Sequence, residues 1–207
     1  NLAETLSAPT VVLARAYVGA TIGMGTVLGL HSAARFYGRK ALESAQRVQD
    51  EDTLAYVLNG VGIAAYYRGE REAQALFLDS AERYRAIGDA DTAAVALINA
   101  ALTAYHFGNW RLTLRCLATV DKRSPRLKFL QYRMCYYAAQ ALLHLGERQQ
   151  ALTCMAEVQL PDDSRLYDDD AEYSTGLALM ILRALCQSDL TTAVAWLRPA
   201  LRYLESA

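Results

Sequence analysis

The sequence has few of the residues that interrupt helices or cross-link small folds. Its 207 residues include four prolines and four cysteines, and no two cysteines form a CxxC motif. Extracellular disulfide scaffolds and zinc fingers rely on closely spaced cysteines, so this composition does not favour them. We expect buried, reduced thiols in a cytoplasmic protein. The cysteines are Cys116, Cys135, Cys154 and Cys186.

An excess of charge of one sign is also missing. The chain has 21 basic and 22 acidic residues, for a formal net charge of −1. Proteins that bind nucleic acid or an anionic membrane directly usually carry a basic surface. The charge balance therefore predicts neither direct nucleic-acid contact nor membrane binding.

Common catalytic motifs are absent from the sequence. It has no GxxxxGK[ST], GxSxG or HExxH pattern. The glycines in Gly19–Gly23 and Gly25–Gly29 have the GxxxG spacing of helix packing, and no predicted strand precedes them, so they do not indicate a phosphate-binding loop. We predict a protein that is not an enzyme and has no cofactor.

What the sequence does contain is a repeat. Predicted turn residues recur at spacings of 39, 39, 38 and 42, and they are Leu30, Gly69, Gly108, Gly146 and Ser188. At the position seven residues before each predicted turn, most side chains are small. The residues at this position are Gly23, Gly62, Ala101, Ala139 and Ile181. They recur four or five positions after it, as Ala34, Ala73, Thr113, Ala151 and Ala193. A period of this length is typical of stacked helical hairpins, whose crossing points need small side chains.

The repeat predicts an all-α fold, a right-handed α-α superhelix of about five antiparallel helix pairs in a single domain over 1–207. The predicted repeats cover about 9–49, 50–89, 90–122, 125–160 and 166–206. Asp50 and Asp89 mark helix starts, Gly88 marks a helix end, and Pro199 predicts a kink in the last helix. Since the chain starts without Met, we expect it to be part of a larger protein.

Two runs of 19 residues without charge, Ala16–Ala34 and Thr92–Trp110, are long enough to cross a bilayer. Both occupy the first helix of a repeat, which its own partner helix and a neighbouring repeat should cover. Such a helix is expected to be apolar on nearly every side. We therefore predict buried helices and no membrane span.

The second unit resembles the tetratricopeptide repeat. Gly62 precedes the turn glycine Gly69 and Ala73 follows it, and Asn99 in the third unit stands where that consensus often has Asn. The period near 39 and the linking segments Val48–Asp52 and Ile87–Asp91 resemble the variant repeats of large bacterial signalling proteins. These include ATP-binding LuxR-type transcription activators, similar to the maltose-regulon activator, and cyclases with a helical tail. The resemblance covers about 9–206, although Leu30, Ser188 and Ala65 depart from the consensus.

This resemblance implies that the first helix of each pair lines a concave groove. Helical spacing then selects the residues of the inward face. Besides the binding candidates named below, these are Ile63, Val95, Ile98, Leu102 and Leu143. Tyrosine combines a stacking surface with a hydroxyl, and arginine can bind a carboxylate through two hydrogen bonds. The alternative is that most of these side chains only pack between helices. The binding candidates are Tyr56, Asn59, Tyr66, Tyr67, Tyr105, His106, Arg133, Tyr136, Gln140 and His144.

A metal site is not predicted. His106 and His144 are equivalent residues, each two positions before a turn glycine, but no further ligands cluster with them. Zinc usually takes three or four protein ligands. The acidic residues of Asp162–Asp170 lack the calcium-loop spacing and indicate a linker and a helix start.

Three functions agree with these patterns. The first is a regulatory or scaffold domain of a bacterial signalling or transcription regulator, which binds a small effector or other domains of the same chain. The second is an adaptor that binds a peptide or helix of a protein partner. The third is a self-association module that forms a homodimer through Ala16–Ala34 or the helix around Pro199, because free arrays need capped ends.

Overall fold

The computed structural model describes residues 10–120, 127, 130–158, 170–187, 189, 191–195 and 197–198, with the backbone alone for 170–177. All regular secondary structure in these ranges is helical, which confirms the all-α fold. The chain forms two compact units, Asn1–Gly108 and Asn109–Ala207, and each is described separately. The single repeat domain and the right-handed superhelix stay predictions.

The first unit consists of consecutive helical hairpins. Helix α1 packs on α2, α3 on α4, and α5 on α4, while α3 also packs on α1. This succession confirms the predicted pairing of neighbouring helices. The helices are α1 Val11–Ile22, continued by a π-helical segment Gly23–Val27, α2 His31–Val48, α3 Glu51–Tyr67, α4 Glu72–Ala86 and α5 Ala90–His106.

The second unit follows the same pattern around α7, which packs against α6, α8 and α9. No helix in the described ranges is long and apolar enough to cross a membrane. The kink at Pro199, the turn at Ser188 and the acidic linker before Asp170 lie outside the described residues. The helices are α6 Trp110–Ala118, α7 Gln131–His144, α8 Arg148–Ala156 and α9 Asp170–Leu185.

Two first helices begin with the same hydrogen-bonded cap. The Asp50 carboxylate accepts a hydrogen bond from the Thr53 amide at 2.9 Å, and Asp89 accepts one from the Thr92 amide at 3.0 Å. Each threonine hydroxyl also donates to the same aspartate. Side-chain oxygens at this position satisfy amide groups that have no partner inside the helix. Both predicted helix starts are therefore confirmed.

Left-handed glycines end the helices where the repeat predicted turns. The φ angles are 72° at Gly69, 75° at Gly108 and 79° at Gly146, and 83° at Gly88 after α4. A residue with a Cβ is strained in this conformation, so glycine stops the helix and reverses the chain at low cost.

The turn of the first repeat was predicted one residue too late. Gly29, rather than Leu30, adopts the left-handed conformation, with φ of 65°. Gly29 lies 19 residues after the cap Thr10, which is the same interval as in the second and third repeats. Gly29 lies five residues before Ala34, which matches the interval from Gly108 to Thr113 and differs from the four residues between Gly69 and Ala73.

The small residues after the turn are confirmed as packing positions in the first four repeats, where Ala34, Ala73, Thr113 and Ala151 are all fully buried. In the fifth repeat Ala193 is only half-buried and Ile181 is 40% exposed, so the pattern does not hold there. Ala101 and Ala139, from the column before the turn, are also fully buried. At Gly62 an added Cβ would lie 2.8 Å from Cε1 of Phe77. This distance is too short for an unstrained contact, so Gly62 lets α3 and α4 approach closely.

The packing role predicted for Gly23 was wrong. A Cβ added at Gly23 would meet nothing within 4 Å, whereas one added at Gly25 would lie 3.2 Å from Cβ of Ala34. Seven positions before Gly29 is Ile22, and the helix continues as the π-helical segment Gly23–Val27, in which Gly25 is buried.

Gly60, which the repeat did not single out, lies at the nearest approach of α1 and α3. An added Cβ would lie 2.2 Å from Cγ1 of Val18, a side chain that is 1% exposed. Val18 also packs with Tyr17 and Val57 in the core shared by α1, α2 and α3. Helices α1 and α3, the first helices of two successive repeats, are therefore in contact at a position where α3 has no side chain.

We predict that Gly60→Ala destabilises the protein by about 1–3 kcal/mol, because overpacking exceeds the gain in helix propensity. Gly19→Ala is a matched control, since Gly19 is exposed in α1 and a Cβ there meets nothing within 4 Å. The control should gain up to about 1 kcal/mol. The measurement is urea unfolding followed by circular dichroism, and equal stability of the two variants would contradict the contact.

We predict that Asp50→Ala lowers the free energy of unfolding at pH 7 by about 1 kcal/mol through loss of the cap. Hydrogen bonds from the side chain and backbone of Thr53 lower the pKa of Asp50 below its ordinary 3.8. The contribution of the charged cap is therefore complete above the ordinary pKa and is lost as the pH falls through the lower folded-state pKa. Asp50→Asn keeps an acceptor and should lack this pH dependence. A difference between wild type and Asp50→Asn that stays constant below about pH 4 would contradict the assignment.

Candidate ligand-binding surface

Six of the ten candidate residues lie on α3 and α5 of the first unit, and we call them the tyrosine face. Tyr67 is 63% exposed and Tyr56 is 39% exposed, while His106 is exposed and the other three are half-buried. Tyr56 and Tyr67 are separated by about 16 Å along the axis of α3. The members of the tyrosine face are Tyr56, Asn59, Tyr66, Tyr67, Tyr105 and His106.

Aromatic rings connect α3 and α5 at one end of the tyrosine face. The ring centroids of Tyr66 and His106 are 5.4 Å apart, and their planes are nearly perpendicular at 86°. Tyr66 makes the same kind of edge contact with Tyr67, and His106 makes one with Tyr105. Aromatic pairs favour this arrangement because the edge of one ring is positive and the face of the other is negative. The contacts fix the orientation of the rings while Tyr67 stays accessible.

A pair of asparagines connects the same two helices in the middle of the face. Nδ2 of Asn99 donates a hydrogen bond to Oδ1 of Asn59 at 3.2 Å. This bond uses one donor and one acceptor, and each amide group carries further hydrogen-bonding capacity. Asn99 occupies the place in its repeat that Gly60 holds in the previous one. The pair therefore presents polar groups at a helix crossing that lies between aromatic side chains.

One residue of the predicted inward face was misplaced. Ile98 is only 2% exposed and contributes nothing to the surface. Helix α5 packs on both α3 and α4, so its accessible strip is narrower than ideal helical spacing predicted. The neighbouring Asn99 takes the place expected for Ile98.

The first helix continues the face with almost no side chains. Counted from the cap of each helix, Ala16, Gly19 and Gly23 on α1 correspond to Tyr56, Asn59 and Ile63 on α3. A Cβ added at Gly19 or Gly23 would meet nothing within 4 Å. Since α1 packs directly on α3, these three positions of α1 add little side-chain bulk beside α3, while Arg15 of α1 reaches the Tyr56 ring.

Arg15 limits access to one of the tyrosines. Its guanidinium lies 5.0 Å from the ring centroid of Tyr56 and forms a 2.7 Å ion pair with Asp52. Both charged side chains are nearly half exposed, so we attribute little stability to the ion pair. Its effect is to hold a cation over one side of the Tyr56 ring.

A network of charged side chains lies at the turn after α3, and the repeat pattern did not predict it. Arg68 donates two hydrogen bonds to Glu70, at 2.9 and 2.5 Å, and Arg35 of α2 donates to the same carboxylate at 2.9 Å. The bonds from Arg68, followed by those from Arg35, hold the pKa of Glu70 below its usual value. The Arg68 side chain is 7% exposed, and its Nη1 atom is buried without a hydrogen-bond partner among the residues that the structure describes. Only the alternation of opposite charges around Gly69 hinted at this network.

An arginine also borders the aromatic end of the face. The guanidinium of Arg71, at the start of α4, lies 5.2 Å from the ring centroid of Phe107. Phe107 follows His106 directly, so the exposed cation lies beside the ring cluster. A cation over an aromatic ring is weakly attracted to it, and arginine makes this contact most often.

The remaining four candidates belong to the second unit. Nε2 of Gln140 donates to the hydroxyl of Tyr136 at 2.9 Å, which joins successive turns of α7. Arg133 is half-buried on the same helix. The ring of His144 stacks on Trp110 at 4.1 Å with an interplanar angle of 8°. The stack of His144 on Trp110 joins α7 to α6, and the repeat pattern did not predict it.

The two histidines have aromatic neighbours rather than further metal ligands. His106 contacts Tyr66 and Tyr105, and His144 stacks on Trp110. Across the residues that the structure describes, no three His, Cys, Asp or Glu side chains cluster closely enough to hold a metal ion. The tyrosine face therefore offers rings, amides and peripheral guanidinium groups as its chemistry.

Comparison with known proteins gives no family assignment. The chain matches no protein-family model, and no curated protein sequence matches it.

Proposed function

We propose that this chain is a non-catalytic binding domain of a bacterial signalling or transcription regulator. It takes a partner domain or a small effector on the tyrosine face. The observation that carries this proposal is the joining of α3 and α5 by the Tyr66–His106 contact and the Asn59–Asn99 hydrogen bond, beside an exposed Tyr67. Rigid rings next to amide groups are a typical composition of binding surfaces, because little side-chain entropy is lost on binding.

The chemistry of the face favours a ligand with an apolar or planar part and an amide or carbonyl group. The rings supply stacking area, and the asparagine amides can donate to a carbonyl and accept from an N–H group. The bare backbone of α1 at Gly19 and Gly23 leaves space for the apolar part. A peptide segment of a neighbouring domain and a small heteroaromatic effector both have this combination. The cytoplasm, where regulators of this kind act, is the location that the proposal implies.

A second function, self-association, is favoured by the exposed apolar residues of the first hairpin. Val27 is 79% exposed, Leu28 is 60% and Leu30 is 52%, and these residues are close in sequence at the loop between α1 and α2. Phe36 on α2 is 45% exposed. Exposed apolar residues that lie together are more often interaction sites than scattered ones. A second copy of this chain is the occupant that we propose.

For ligand binding, we predict that peptides selected from a phage-displayed random library on the wild-type chain bind at least about tenfold more weakly to Tyr67→Ala, the effect of losing about 1.4 kcal/mol. Ile87→Ala is the control, because it removes an exposed apolar side chain at the end of α4 and should leave affinity unchanged. Fluorescence anisotropy of labelled peptides gives the affinities. The failure of the library to enrich any peptide, or equal affinity for both variants, would contradict the proposal.

For self-association, we predict that the sedimentation coefficient of the wild-type chain rises with concentration and that Val27→Asp abolishes this rise. A carboxylate is costly to bury in an apolar interface without a partner. Thr119→Asp changes an exposed residue of the second unit and serves as the control. A concentration-independent monomer in the wild type would exclude the second function and leave the ligand-binding proposal untouched.

A further inference from the structure

Two cysteines of neighbouring helices face each other in the second unit. Sγ of Cys135 on α7 lies 3.8 Å from Sγ of Cys154 on α8. The Cys135 thiol also donates to the carbonyl oxygen of Cys154 at 3.4 Å. The two sulfurs are in van der Waals contact, and a disulfide requires them to come to a bonding distance of about 2 Å.

The surroundings divide the roles between the two thiols. Cys135 is 5% exposed and lies in the apolar cluster with Ala139 and Met155, whereas Cys154 is half-buried at its edge. An oxidant from solution therefore reaches Cys154 first. The guanidinium of Arg183 interacts electrostatically with Cys135 and lies 3.5 Å from the carbonyl oxygen of Met155.

We propose that Cys135 and Cys154 are a redox-modification site, at which hydrogen peroxide produces an intramolecular disulfide between α7 and α8. The Cys154 thiolate attacks one peroxide oxygen, so an S–O bond forms, the O–O bond breaks and hydroxide leaves. The Cys135 thiolate then attacks the sulfur of the Cys154 sulfenic acid, so the S–S bond forms and the S–O bond breaks. Two thiols and one peroxide give one disulfide and two waters, and a thiol reductant reverses the cross-link.

The other two cysteines are Cys116 and Cys186. Burial raises the pKa of the Cys186 thiol, against a smaller opposing effect of Arg148. Cys116 is 4% exposed on α6. Cys186 therefore offers an internal comparison within the same fold.

The test treats the full chain with hydrogen peroxide, blocks remaining thiols with iodoacetamide, and maps peptides by mass spectrometry without reduction. We expect one cross-linked peptide pair containing Cys135 and Cys154, with the mass loss of two hydrogen atoms, that dithiothreitol removes. Cys186→Ser should form the same cross-link. Alkylation of both Cys135 and Cys154 after peroxide treatment, or cross-links formed mainly by Cys116 or Cys186, would overturn the proposal.

A second variant tests the order of the steps. In Cys135→Ser the sulfenic acid of Cys154 has no resolving thiol, so dimedone should label Cys154 after peroxide treatment. In the wild-type chain the disulfide should form instead, and dimedone labelling should be lost. Circular dichroism of the untreated variant establishes that it folds. Absence of the label from a folded Cys135→Ser chain would overturn the assignment of Cys154 as the residue attacked first.

Discussion

Helix α3 has glycine at the two places where other helices come nearest to it. Val18 of α1 approaches over Gly60, and Phe77 of α4 approaches over Gly62. These glycines lie two positions apart, so the contacts fall on different sides of one helical turn. A hairpin of this size cannot bury its own apolar side, and close contact with the next hairpin supplies the missing cover. The rest of the first unit depends on α3 being held between α1 and α4 in this way.

That constraint also decides which residues remain on the surface. With two sides of α3 buried against its neighbours, Tyr56, Asn59 and Tyr67 are left on the accessible strip. Helix α5 then approaches α3 at Asn99, whose amide bonds to Asn59 where a glycine served one repeat earlier. On α3 the glycines therefore lie at the helix contacts, and the polar and aromatic side chains lie on the accessible strip.

The parts of the structure that the sequence could predict are those set by local chemistry. Caps such as Asp50 with Thr53, and left-handed glycines such as Gly69, act within a few residues of the chain, so their spacing alone located the helix ends. The turn of the first repeat was predicted one residue late because five residues separate Gly29 from Ala34, whereas four separate Gly69 from Ala73, and small residues on either side of a turn do not reveal such a difference. The handedness of the superhelix is a long-range property and stays a prediction.

The candidate site was predictable in composition and less so in contacts. Tyr66 and His106 were both on the predicted face, but their ring contact depends on the packing of α3 against α5. The pairing of Arg35 with Glu70 and the stacking of His144 on Trp110 join residues far apart in the sequence, and no periodic pattern encodes such partners. The prediction that Ile98 lies on the surface was wrong for a related reason, since ideal helical spacing does not give the width of the strip that neighbouring helices leave uncovered.

The shared helix ends have a consequence for how such a chain can change its length. Asp50 and Asp89 open their hairpins with the same acid-to-threonine bond, and Gly69 and Gly108 close the first helices with the same reversal. Duplication or loss of a gene segment encoding one whole hairpin joins ends that already fit. Recombination can therefore lengthen or shorten the protein without inventing a new junction, while the residues on the open strip diverge independently.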